Sequence, residues 1–317
     1  MTQHTIVRFV SLITFTLAFS ALTYAQPQRT FVSAQTGNDA NTVNNCSLAQ
    51  PCRNFNAAVG VVAAGGEVVA LDSGGYGATT ISKAVTLTSP SGVYAAITAL
   101  TAGSSAITVS AAGTDTVVLR GLTLTGLGGL NGINVTSVGN LQVEGCVVSG
   151  FTANGILVNL TADGSYVFIK DTVVRNNATM GVFITTSTGT VTASIDNSRS
   201  ERNSNGFYAS NNSRVTINRS VASANSSSGF VAFSNALGTP AELSCEECVS
   251  SNNLNGFVGS TVSDGVATIR VSHSTATNNT FGFGQLSTGV FESLGNNLVR
   301  GNSGGDTNGT ITVVGAQ

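Results

Sequence analysis

From about Thr114 to its end the sequence repeats a single pattern, and that repeat limits the fold more than any other feature. One apolar position anchors each unit: Leu119, Val143, Ile169, Ile195, Ile217, Cys245, Val271 and Leu294, at intervals of 22 to 28 residues. Three residues after each anchor stand Leu122, Cys146, Thr172, Ser198, Ser220, Cys248, Ser274 and Asn297. Eight residues after the last six anchors comes an unbroken run of asparagines: Asn177, Asn203, Asn225, Asn253, Asn279 and Asn302. A glycine follows in every unit, from Gly132 and Gly155 to Gly282 and Gly304. Seven of these precede Ile133, Ile156, Val182, Phe207, Phe230, Phe257 and Phe283.

Between the markers, apolar and polar residues alternate over short runs, the period of a half-buried strand, and each unit holds three such runs. A unit of this size cannot bury its inward side alone, but stacking on the next unit does so. Strands about 4.8 Å apart put equivalent positions directly above one another. The phenylalanines then form an internal stack, and the asparagines form a ladder of amide hydrogen bonds from coil to coil. The glycine after each asparagine is expected to supply a turn conformation that a Cβ resists. A helix or coiled coil fails because the apolar period is two, and collagen fails because glycine does not recur every third residue. Charged residues are only 9%, against about 25% in ordinary soluble domains, yet hydrophobic residues reach 41%, which argues against disorder. A formal charge of -2 leaves no basic excess for nucleic acid or an anionic membrane.

The asparagine run, the glycine-aromatic strand and the three strands per unit resemble right-handed parallel β-helix proteins of the pectin-lyase-like superfamily. The stretch from Thr36 to Gly77 resembles the entry of many exported members: a cysteine-stapled loop, a cap helix from about Pro51 to Ala64, a Gly65-Gly66 stop and a first strand Val68 to Asp72. The resemblance implies an all-β, single-stranded, right-handed parallel β-helix of about ten coils, three strands per coil, with a short N-terminal cap helix. The expected divisions are a signal peptide over 1–25, a cap over 26–66 and the β-helix over 67–317. The chain stops at Ile311-Thr312-Val313-Val314 and three further residues with no capping segment visible, so an exposed strand edge and self-association are expectations.

Residues 1–25 carry Arg8, an apolar run from Phe9 to Leu22 and a small-residue exit ending in Ala25, the three parts of a secretory signal. The run is broken by Ser11, Thr14, Thr16 and Ser20 and is short for a membrane span. The mature chain is therefore expected to be soluble and secreted, periplasmic or on the cell surface. Cys46 and Cys52 flank a short loop containing Pro51, a separation that a disulfide can staple. Cys245-x-x-Cys248 has the spacing of a redox or metal pair but lacks the second pair of a zinc site. Both fall at inward positions and read, with Cys146, as small buried apolar residues.

The superfamily's lyases and hydrolases have site motifs of their own. This chain has no Trp, no Asp-His pair and none of the galacturonan-hydrolase motifs, so no catalytic residue carries over. The most charged window contains Lys170, Asp171, Arg175, Asp196, Arg199 and Glu201. Two carboxylates with a nearby base are what glycoside hydrolysis or β-elimination needs. The same residues also read as an alternating-charge ladder that keeps a stacked surface soluble and in register. No metal or cofactor is implied, calcium entering only under the lyase reading. His273, without a Ser or Asp partner motif, reads as an exposed turn residue. The Asn-x-Ser/Thr triplets at Asn177 and Asn225 coincide with the ladder and read as structure.

One surface feature points to binding. The outward residue of the glycine-led strand is Leu157, Phe183, Tyr208, Val231 and Val258 in five successive units, an apolar stripe about 20 Å long. Such a stripe marks a ligand or partner site, or else lies under a loop such as Val158 to Tyr166. The sequence therefore points first to a non-catalytic exported module that binds a polysaccharide or cell-surface partner. A polysaccharide lyase or glycoside hydrolase is the alternative.

Overall fold

The computed structural model describes residues 26–161 and 164–315; the apolar segment read as an export signal lies outside the described residues. The chain is a parallel β-solenoid whose three faces are sheets of twelve, ten and ten strands, called here sheets 1, 2 and 3. One coil shows the plan. Val191–Asp196 lies in sheet 1, Arg199–Glu201 in sheet 2 and Asn205–Ser210 in sheet 3. Each strand pairs in parallel with its equivalent one coil on, so that Ile195 faces Ile217 and Phe207 faces Phe230. Inward residues alternate with outward ones along every strand, and the inward columns fill the core.

The two predicted stacks form. Phe207, Phe230 and Phe257 lie nearly parallel with ring centroids 5.2 and 4.7 Å apart. Phe283 turns edge-on to Phe257 at 5.6 Å, the other favoured aromatic geometry. In the asparagine run, the backbone N–H and the side-chain amide of one residue both donate to Oδ1 of the next. Asn225, for example, reaches Asn253 Oδ1 at 2.8 and 3.0 Å. The same amide also donates to a backbone carbonyl of the preceding coil, Ser200 in this case. Phe151 begins the run with its N–H on Asn177 Oδ1. Asn177 and Asn225 are buried, as their place in the ladder requires.

The glycines after the ladder differ in role from the sequence reading. Gly155, Gly181, Gly206, Gly229, Gly256 and Gly282 do not have left-handed backbones. They are needed because the next coil passes too close: a Cβ on Gly181 would lie 2.8 Å from the carbonyl oxygen of Gly206. The left-handed residues stand elsewhere, at two corners of each coil. Asp171, Asn197, Arg219, Glu247 and His273 turn sheet 1 into sheet 2, with φ between 44° and 54°. Asn176, Arg202, Ala224, Asn252 and Asn278 turn sheet 2 into sheet 3. Just inside the first corner, Thr172, Ser198 and Ser220 form a hydroxyl column. Ser198 Oγ accepts from the N–H of Thr172, and Ser220 Oγ from that of Ser198.

Cys248 stands in that column, and the reading of Cys245 and Cys248 as separate apolar fillers is corrected: they are bonded to each other. Strand Ala241–Glu246 ends in the tight corner at Glu247, which brings the two inward cysteines to a Cα separation of 6.0 Å. Cys146 is free and buried, and burial pushes its thiol up to about 11.

Cys46 and Cys52 are bonded, as the sequence indicated. The helix that follows is shorter than expected, Phe55–Val61, and buries Phe55, Ala58 and Val59 against the first coil. The segment before the cysteine loop contains a strand the sequence did not reveal. Arg29–Val32 pairs in parallel with Glu67 to Ala70 and begins sheet 1. The carboxylate of Asp72 gathers this end together, accepting from the Ser33 hydroxyl, the Ala34 N–H at 2.7 Å and the Tyr76 hydroxyl at 2.7 Å.

Candidate functional site

The six charged candidates fall into two groups on different faces. Lys170 and Asp196 are in-register neighbours at the end of sheet 1, with Asp171 at the adjoining corner. Arg175 and Glu201 are in-register neighbours on sheet 2, with Arg199 two residues before Glu201 in the same strand. The carboxylates are engaged. Asp196 Oδ1 lies 2.6 Å from Arg219 Nη2. Glu201 Oε1 accepts from Arg199 Nε at 2.8 Å, and Asp171 Oδ1 accepts from the side-chain amide of Asn197 at 2.6 Å. Similar pairs run along sheet 1: Arg120 to Glu144 at 2.8 Å, and Arg270 to both Glu242 and Glu292. The arrangement is that of an alternating-charge surface ladder, in which each exposed pair contributes little on its own. Gln142, Glu144, Phe168, Lys170, Ser194 and Asp196 border an open depression of about 330 Å³ on this face. His273 is an exposed corner residue, as expected, with Nδ1 2.7 Å from Glu246 Oε1 and Nε2 facing the Asn296 amide.

On sheet 3, Leu157, Phe183, Tyr208, Val231 and Val258 form one continuous column across five strands. They are not uniformly exposed, which corrects the picture of an open stripe. Leu157, Phe183 and Tyr208 are half-buried, whereas Val231 and Val258 are only 4% and 2% accessible. Phe233 and Ser260 stand beside them in the neighbouring outward column. Phe183 meets Tyr208 edge-on at 5.4 Å, and Tyr208 packs against Phe233 at 5.8 Å. The segment from Val158 does not begin as a covering loop, because Ile156–Leu160 is strand.

What results is a shallow cleft of about 240 Å³, with Val231 and Val258 lining it beside Tyr208, Phe233 and Leu286. Its polar members are Asn205, Ser227, Ser228, Asn255 and Ser260. Asn205 Oδ1 accepts from the Ser228 N–H at 3.2 Å, and Asn255 Nδ2 donates to Ser228 Oγ at 3.3 Å. The Tyr208 hydroxyl makes no hydrogen bond to another described residue, and burial pushes it up to about 12. The column continues to Gly284, which adds no side chain to it.

Sequence reasoning found the column but not its surroundings. Phe233 was in reach, being two residues beyond Val231 and so on the same side of the strand. Asn205, Ser228 and Asn255 each immediately precede a repeat glycine, a regularity visible in the sequence. Tyr166 and Phe168, exposed side by side on sheet 1, were also missed. Among the described residues no group of three or more His, Cys, Asp or Glu side chains could hold a metal ion.

A family model described as the right-handed β-helix region matches residues 131–303, more than half of the chain. The crystal structure of the pectate lyase Pel9A is similar to this chain, with a TM-score of 0.49 and 17% identity over 91% of this chain and 77% of that one. No curated protein matches this chain in sequence.

Proposed function

We propose, for a chain that belongs to the right-handed parallel β-helix family, that it is a non-catalytic glycan-binding module acting outside the cell or at its surface. The Tyr208 cleft carries this reading. It offers an aromatic ring with an uncommitted hydroxyl, an apolar floor and a border of amide and hydroxyl groups. Ligand sites combine apolar surface with a few placed polar groups in this way, and the solenoid holds them on rigid strands. Catalysis needs carboxylates that converge on a base. Asp196 and Glu201 are instead each paired with an arginine on different sheets, so the lyase or hydrolase reading ranks second. Export is supported by the secretory pattern of residues 1–25 and by two disulfides, which persist in oxidising compartments. Among the described residues no helix is long and apolar enough to cross a membrane.

A polysaccharide panel tests the reading, scored for binding and, with and without calcium, for unsaturated products and new reducing ends. Binding without product, lost on Tyr208→Ala, is the expected result. Product formation abolished by Asp196→Ala would establish the enzyme instead.

A further inference from the structure

The cleft contrasts in charge with the ladders of sheets 1 and 2. The ion pairs described above stand on sheets 1 and 2 or at their corners. No residue that lines the sheet 3 cleft is Asp, Glu, Lys, Arg or His. Its one titratable group is Tyr208, which burial keeps neutral far above physiological pH.

We propose that this cleft takes an uncharged saccharide rather than a polyuronate, an inference that rests on the glycan-binding reading. A carboxylate entering here would give up water and meet no cation, a cost that burial makes large. A neutral sugar brings hydroxyls and an apolar ring face, and the cleft has a counterpart for each. Asn205 Oδ1 and Asn255 Nδ2 are engaged by Ser228, whereas Asn205 Nδ2 and Asn255 Oδ1 make no hydrogen bond to another described residue. One is a donor and the other an acceptor, which is what a hydroxyl pair can satisfy. The Tyr208 hydroxyl adds a third uncommitted group, and its ring gives a sugar face a surface to rest on. Asn205, Ser228 and Asn255 hold the same place in three successive coils, about 4.8 Å apart. They therefore meet a linear chain at regular intervals.

The decisive experiment is calorimetry on the full mature chain. Neutral β-linked gluco-, xylo- and manno-oligosaccharides are compared with oligogalacturonides at low and high salt. At least one neutral series is expected to bind, with a Kd that salt leaves unchanged because no ion pair forms. Tyr208→Ala and Asn255→Ala should each weaken it tenfold or more. Tyr208→Phe, which keeps the ring, should weaken it less than Tyr208→Ala and guards against misfolding of the alanine variant. Preference for the acidic series, with salt-sensitive affinity lost on Lys170→Ala, would overturn the neutral-ligand inference while leaving glycan binding intact. Absence of binding by both series would overturn the glycan reading itself. Neutral binding unaffected by all three cleft variants would move the site elsewhere and overturn the inference.

Discussion

A methyl group on Gly206 would sit 2.5 Å from the carbonyl oxygen of Gly229, in a place where two coils have no room to part. Gly206→Ala should therefore cost about 1 to 3 kcal/mol, the usual penalty for overpacking, seen as a lowered midpoint in thermal unfolding. The opposite holds at the corners. Ala224 has φ 54°, a left-handed backbone that its Cβ resists, and no polar side chain to compensate. Ala224→Gly should raise stability by about 0.5 to 1 kcal/mol, the relief of strain exceeding the entropy of a freer unfolded chain. An unchanged or lowered midpoint would show that the corner is not strained. At the cap, burial by itself raises the carboxyl of Asp72. The hydroxyls of Ser33 and Tyr76 and the N–H groups of Ala34 and Gln35 outweigh it and hold the group below its usual 3.8. The ionised form thus favours the folded cap above that value, and its contribution is lost as pH falls through the lowered pKa. Wild type and Asp72→Asn should differ in stability near neutral pH and converge in acid; a gap that persists at the lowest pH tolerated would contradict this.

Each strand and corner inherits its partners from the coil before, which is why some features could be read from the sequence and others could not. The asparagine and phenylalanine runs were legible because equal spacing alone puts equal residues above one another. The glycine role was not, because it depends on how near the next backbone passes. Nor was the burial of Val231 and Val258: alternation gives the side a residue faces, not the height of what stands next to it. The bond between Cys245 and Cys248 depends on the corner at Glu247, whose left-handed turn no local motif announces. Two measurements address this level. Asn225→Ala leaves the buried N–H of Asn203 without its acceptor and removes one of the two donors to Asn253 Oδ1, a loss of about 2 kcal/mol or more. Thiol labelling should find no reactive cysteine in the native protein, one after denaturation and five after reduction as well, since only Cys146 is free. Three labels before reduction would show Cys245 and Cys248 to be separate.

As a whole molecule, a solenoid is held by contacts between neighbouring coils, so its parts are replaceable to a degree that a globular core is not. Asp196 and Asn218 are equivalent positions one coil apart. Removing residues 197–218 joins Asp196 to Arg219 and restores every column with one coil fewer. The shortened chain should stay soluble and retain its β-sheet circular dichroism, with a lower midpoint of unfolding. It should also lose glycan binding, because Tyr208 leaves with the excised coil. Aggregation instead would mean that the coils depend on more than their neighbours. The line of left-handed corners then takes on another meaning. Asp, Asn, Arg, Glu and His follow one another there on a nearly constant backbone. The fold fixes the conformation at these places and accepts several letters there. It works as a rack with evenly spaced slots, in which natural drift or a protein engineer can exchange one chemical group after another without rebuilding the frame.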